Sequence, residues 1–128
     1  MASTTASLLW EQVVVDASDP AGLARWWADA LGWVFVSADD DEPEIRSAPD
    51  TLPGLLFVHV SEAKTVKNRL HLDFRPSAVP GRTRDEIQTA EVERLEALGA
   101  VRAQIGQDAD AVSWVVLADP EGNEFCVL

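Results

Sequence analysis

The chain has 128 residues, 47% of them apolar, with a formal net charge of -12 and a pI near 4.3. That length suits one domain with its own core, and the acidic balance argues against nucleic acid, whose binding depends on clustered Lys and Arg. No apolar run approaches the ~20 residues that cross a bilayer, Met1 to Ser7 carry no basic leader region, and the single cysteine, Cys126, fits a reducing cytoplasm.

Hydrophobic periodicity predicts a first strand over Leu8 to Asp16, with Leu9, Val13 and Val15 on one face and Trp10, Gln12 and Val14 on the other. Asp19-Pro20 starts a helix, because Asp accepts from the free N–H groups and Pro is pre-set for the first helical position. Leu23, Trp27, Ala30 and Leu31 form its core stripe, and Gly32 closes it. Trp33 to Ser37 reads as a second strand, followed by the acidic loop tip Asp39 to Glu42. A short strand is expected over Glu44 to Ala48, and another over Leu55 to Val60, with Phe57 and His59 sharing a face.

Lys64, Lys67 and Arg69 reverse the local sign of the charge, which suits either an edge that discourages aggregation or capture of an anionic group. Arg69 to Phe74 splits cleanly by alternation into Leu70, Leu72 and Phe74 against Arg69, His71 and Asp73. Thr83 and Glu86 have capping-box spacing before a helix that carries Ile87, Val92, Leu95 and Leu98 and ends at Gly99. Strands follow over Val101 to Ile105, Ser113 to Ala118 and Glu124 to Leu128, with a tight turn at Asp119 to Asn123.

The order is strand, helix and three strands, twice. The repeated Ala-Leu-Gly at residues 30–32 and 97–99, each ending a helix, marks the same point in both halves. The expected fold is α+β: two paired βαβββ modules, about residues 8–60 and 69–128, forming curved mixed sheets around a concave pocket, with helices on the outer face. If the Leu70, Leu72 and Phe74 side packs under a helix, the inner face collects Trp10 and Gln12, Phe57 and His59, Arg69, His71 and Asp73, Trp114, Glu124 and Cys126. Aromatic walls with a few convergent polar groups suit a small-molecule cavity. The same residues also have structural roles to fill: a hydrogen-bonded histidine, a core tryptophan, an inert buried thiol. The sequence holds no glycine-rich phosphate loop, Cys-x-x-Cys pair or Gly-x-Ser-x-Gly elbow.

Three segments together, Lys67-Asn68-Arg69-Leu70-His71-Leu72-Asp73, Asp119-Pro120-Glu121-Gly122-Asn123-Glu124-Phe125 and Asp19-Pro20 to Leu31-Gly32, resemble the glyoxalase-like domains of the vicinal oxygen chelate superfamily. The resemblance runs from about Leu8 to Leu128. It implies paired βαβββ modules, a homodimer and a site inside the curved sheet. In metal-dependent members four strands hold one divalent ion. Carried over by position, the ligands fall on Gln12, on Phe57 or His59, on His71, and on Cys126, where an acidic residue is expected. Glu124 is two residues earlier on the same face. Gln12, His59, His71 and Glu124 would make a reasonable donor set for Zn, Ni, Mn or Fe; the strict positions would not.

Three functions therefore stand open. One is a metal-assisted enzyme of lyase, isomerase or dioxygenase type, with Glu124 as ligand or general base. Another is a metal-free drug- or metabolite-binding protein of the bleomycin resistance kind, in which aromatic side chains stack the ligand and Asp73 and Glu124 face a cation. The third is a dimeric domain without a small-molecule role, Arg69 and Asp73 being structural partners.

Overall fold

The computed structural model describes residues 7–128; the leader reading at residues 1–6 lies outside the described residues. The chain divides after Ser61 into two compact units, each with one helix and one four-stranded mixed sheet. The first unit contains β1 (Gln12–Ala17), α1 (Pro20–Leu31), β2 (Val34–Ser37), β3 (Glu44–Arg46) and β4 (Gly54–His59). The second contains β5 (Leu72–Phe74), α2 (Arg84–Leu98), β6 (Val101–Arg102), β7 (Val115–Ala118) and β8 (Glu124–Val127). The sheet orders are β1-β4-β3-β2 and β5-β8-β7-β6, with the first strand of each parallel to its last. The predicted α+β class and the doubled βαβββ order are what the chain adopts.

The helices form where their caps dictate. The Asp19 side chain accepts from the Gly22 amide at 3.1 Å, Pro20 opens α1, and Gly32 ends it with φ 69°. Leu23, Ala24, Trp27, Ala28 and Ala30 are buried beneath it. At α2 the capping box is complete: Thr83 Oγ1 accepts from Glu86 N at 3.1 Å, and Glu86 Oε1 accepts from Thr83 N at 2.8 Å. Hydrogen bonding from Thr83, first its backbone amide and then its side chain, holds the Glu86 carboxyl below its ordinary value. Val92 and Leu95 are buried, Ile87 half-buried and Leu98 exposed. The polar Gln88 is buried in their company, its amide donating to Ser113 O at 2.8 Å and Val127 O at 3.0 Å.

Strand register fixes which side chains share a face. In the first unit Val13, Val15 and Ala17 lie opposite Leu55, Phe57 and His59 in a parallel pair, and Ile45 opposite Leu55. Ala17, Ile45, Leu55 and Phe57 are buried there, against α1. The far face of that sheet carries Gln12, Val14, Asp16, Leu56, Val58, Glu44 and Arg46. Gly54 also lies on the far face, where a Cβ would sit 2.6 Å from Glu44 Oε2, so a side chain there would push that carboxylate aside. Glu44 accepts from Arg46 Nε at 2.7 Å, and Arg46 reaches Pro49 O at 3.0 Å and Glu11 at 3.6 Å.

In the second unit Leu72, Phe74, Phe125 and Val127 share one face, with the Phe74 and Phe125 rings edge to face at 6.0 Å. Asp73, Cys126 and Val116 share the other, and Glu124 and Ala118 follow them by alternation along β8 and β7. All four residues of β8 are buried, and the strand has a neighbour on each side.

Three predicted strands are shortened most. Leu8, Leu9 and Trp10 precede β1 and are exposed, Trp10 by 64%. Arg69, Leu70 and His71 precede β5, and Leu70 is 88% exposed rather than packed under a helix. β6 stops at Arg102.

Candidate functional site

The far face of the second sheet gathers three of the polar residues of interest. β8 supplies Glu124 and Cys126, and β5 supplies Asp73. Glu124 is only 8% exposed and is fully engaged. Its Oε1 pairs with Lys64 Nζ at 2.5 Å and accepts from the Asn68 amide at 3.1 Å; Oε2 lies 3.4 Å from the same amide. Asn68 Nδ2 donates in return to Glu124 O at 3.2 Å. Burial works to raise the carboxyl, but the hydrogen bonds from Lys64, Asn68 and its own backbone amide, with the Lys64 charge, prevail and hold it below its ordinary value.

The connector between the units' regular elements is therefore tied to the second sheet. Lys64 Nζ also donates to Val66 O at 2.6 Å, and Lys67 Nζ to Ile105 O at 3.0 Å. The positive cluster thus spends two of its three members on intramolecular bonds, while Arg69 is exposed in the connector. His71 Nε2 lies 2.9 Å from Asn68 O, three residues back, in the segment that precedes β5.

Cys126 is buried and sits opposite Asp73 in the β5–β8 pair. Burial, then the Asp73 charge and its hydrogen bond with the thiol, push Cys126 up to about 11. Such a thiol is inert at neutral pH. Iodoacetamide at pH 8 is expected to label it roughly 100-fold more slowly than in the urea-unfolded chain, because the thiolate fraction falls about tenfold each time the thiol pKa rises by one. Mass spectrometry over time checks this, and Asp73→Asn should speed the labelling of the folded form.

Several placements correct the expectation. Phe57 is fully buried on the helix face of its sheet, and His59 shares that face at the exposed end of β4; Gln12 is on the opposite face. The residues of β4 that do share Gln12's face are Gly54, Leu56 and Val58, none of them a metal donor. The phase of this strand is inverted relative to the prediction, because Phe57 fills the space under α1 that a polar side chain cannot. Trp114 is half-buried one residue before β7, its Nε1 donating to Gln107 Oε1 at 2.9 Å. The half-buried Glu44–Arg46 pair escaped sequence reasoning, since charges two apart on a three-residue strand look like any exposed face.

The donor set does not fit a divalent metal. Glu124 is neutralised by Lys64 and the Cys126 thiol is held protonated, which removes both β8 donors of the proposed set. Among the described residues no three His, Cys, Asp or Glu side chains form a metal-binding group. Nor is any helix among them long and apolar enough to cross a membrane. A shallow cavity of about 380 Å³ lies elsewhere, along the exposed side of α2, lined by Arg82, Asp85, Glu86, Thr89, Ala90 and Glu93.

Comparison with known proteins gives a consistent result. The family model described as a glyoxalase-like domain matches residues 12–128. No curated protein matches the chain. Among solved structures, a possible glyoxalase from Bacillus cereus is similar at TM-score 0.68 and 13% identity, over 95% of this chain and 99% of that one. A glyoxalase/bleomycin resistance protein/dioxygenase family enzyme from Burkholderia phytofirmans has TM-score 0.68 and 18% identity, over 94% and 97%. The fosfomycin resistance protein FosX from Listeria monocytogenes, in complex with Mn(II) and a dihydroxypropylphosphonic acid, has TM-score 0.65 and 13% identity, over 94% and 88%. At these identities the likeness is one of fold.

Proposed function

Because the chain belongs to the glyoxalase-like domain family, whose fold hosts both enzymes and passive binders, we propose that it is a metal-independent small-molecule binding protein. The observation that carries this reading is the engagement of Glu124: its charge is already met by Lys64 and the Asn68 amide. A carboxylate so held, and pushed below its ordinary value, is a poor metal ligand and a poor general base at neutral pH. The ligand surface in this reading is the far face of the second sheet, with Asp73 as its exposed carboxylate, Val116 as apolar floor and Trp114 beside β7. The net charge of -12 favours a cationic ligand. Homodimer formation and a cytoplasmic setting belong to the same reading and rest on the family and on the lone Cys126.

A metal-assisted enzyme is the rival reading, supported by the Mn(II) complex of FosX. Tryptophan fluorescence and thermal unfolding separate the two. Proflavine, a planar cation, should quench Trp fluorescence saturably, and Asp73→Asn should weaken that binding by about tenfold, the range of a lost charge-assisted hydrogen bond. Mn, Zn, Ni and Fe(II) salts should leave the Tm unchanged. A metal-dependent rise in Tm with stoichiometric uptake would sink the proposal in favour of the enzyme.

A further inference from the structure

A line of hydrogen bonds runs from Lys64 to His71. Lys64 Nζ meets Glu124 Oε1 at 2.5 Å, the Asn68 N–H donates to the same oxygen at 3.1 Å, and Asn68 O stands 2.9 Å from His71 Nε2. One residue thus faces a buried carboxylate through its N–H and an imidazole through its carbonyl. A carbonyl oxygen can only accept, so the proton of this last bond resides on Nε2. In the neutral ring Nδ1 then keeps its lone pair.

We propose that Glu124 is a positioning residue for His71. Acting through Asn68, it holds the ring as the Nε2–H form and leaves Nδ1 as the acceptor for an N–H or O–H donor of a small-molecule ligand. Nothing else in the connector fixes Asn68 as firmly. Its amide is held by Glu124, its side chain by Glu124 O, and Lys64 keeps the carboxylate from turning away. Polarisation along such a chain strengthens each bond. Glu124 is buried on β8 and His71 is exposed in the connector, so a rigid strand sets the orientation of a solvent-facing ring. The tautomer half of this inference stands on geometry alone; the ligand half rests on the small-molecule reading above.

The chain has two histidines, His59 and His71, which makes the test direct. Long-range proton–nitrogen spectra of the 15N-labelled protein, recorded about two pH units above the usual imidazole pKa, near pH 8.5, report the tautomer of each ring. His71 should be a single Nε2–H species, while exposed His59 supplies the mixed pattern of a free ring. Glu124→Ala should move His71 towards that mixture. Glu124→Gln should keep it, because Gln Oε1 can still accept from both Lys64 and Asn68. A mixed or Nδ1–H ring in the native protein overturns the proposal whether or not the alanine variant folds. An unchanged His71 in a folded Glu124→Ala variant overturns the positioning role.

Titration with proflavine tests the ligand half. The Nδ1 resonance should move while the Nε2 proton stays in place. Proflavine that binds without moving Nδ1 overturns this half. Proflavine that does not bind removes the small-molecule reading and the ligand half with it, and the positioning role then stands or falls on the tautomer spectra alone.

Discussion

Phe57→Ala should lower the stability of the protein by about 3–5 kcal/mol, the range for removing a buried ring from a packed core. Phe57 is 0% exposed, lies opposite Val15 in the β1–β4 pair, and faces α1 with Ile45 and Leu55. For a chain of this size the loss corresponds to a fall in Tm of roughly 10–20 °C. Leu56→Ala, one residue earlier on the far face and half-buried, should cost about half as much or less. Thermal or urea unfolding of the pair decides which face of β4 is core. A Phe57→Ala protein that melts like the native one but binds ligand poorly would return Phe57 to a pocket wall.

Lys64→Met should cost about 1–3 kcal/mol, the penalty for leaving a mostly buried acceptor without its charged donor, with the Asn68 amide still supplying part of the compensation. The loss should also change shape with pH. Glu124 has a folded value below its unfolded one, so it contributes stability that is fully present above the ordinary carboxylate range. That contribution is lost as pH falls through the lowered folded value. In Lys64→Met the depression is smaller, so the difference between native and variant should be greatest at pH 7 and shrink in acid. Urea midpoints measured from pH 7 downward give the answer. A difference that stays constant with pH would show that Lys64 acts through packing alone. The double variant Lys64→Met/Glu124→Gln should recover part of the loss, since it removes the uncompensated charge.

How much of this was legible in the sequence depends on how local each determinant is. Helix limits were readable because Asp19, Pro20, Thr83, Glu86 and the two Ala-Leu-Gly ends act within one turn of themselves. The phase of β8 was readable because Glu124 and Cys126 alternate with Phe125 and Val127. The phase of β4 was not. Leu55, Leu56, Phe57 and Val58 form an unbroken apolar run, as a strand between two neighbours does, and alternation carries no information there. Only the pairing with β1 and the position of α1 choose the face.

The long-range polar links were out of reach for a different reason. Lys64 and Asn68 belong to a connector with no periodicity, and their partner Glu124 is on the far side of a helix and three strands in sequence. Read by alternation from Cys126, Glu124 is a ligand or general base. Read with its partners, it is already occupied. Gln88 hid for the same cause: its amide bonds to Ser113 and Val127 make a polar residue a core residue, and neither partner is local.

The parallel pairing of first and last strands has a consequence for how the protein is made. β1 has β4 as its one neighbour in its sheet, and β5 has β8. Each opening strand therefore leaves the ribosome with its amides unpaired and must wait through a helix and two strands for its partner. Hairpins β3–β4 and β7–β8 join neighbours in sequence and cost little loop entropy, whereas β1–β4 and β5–β8 close the longest loops in their units. Each unit is thus completed late and from its C-terminal end, and the second stays open until Val127 has emerged.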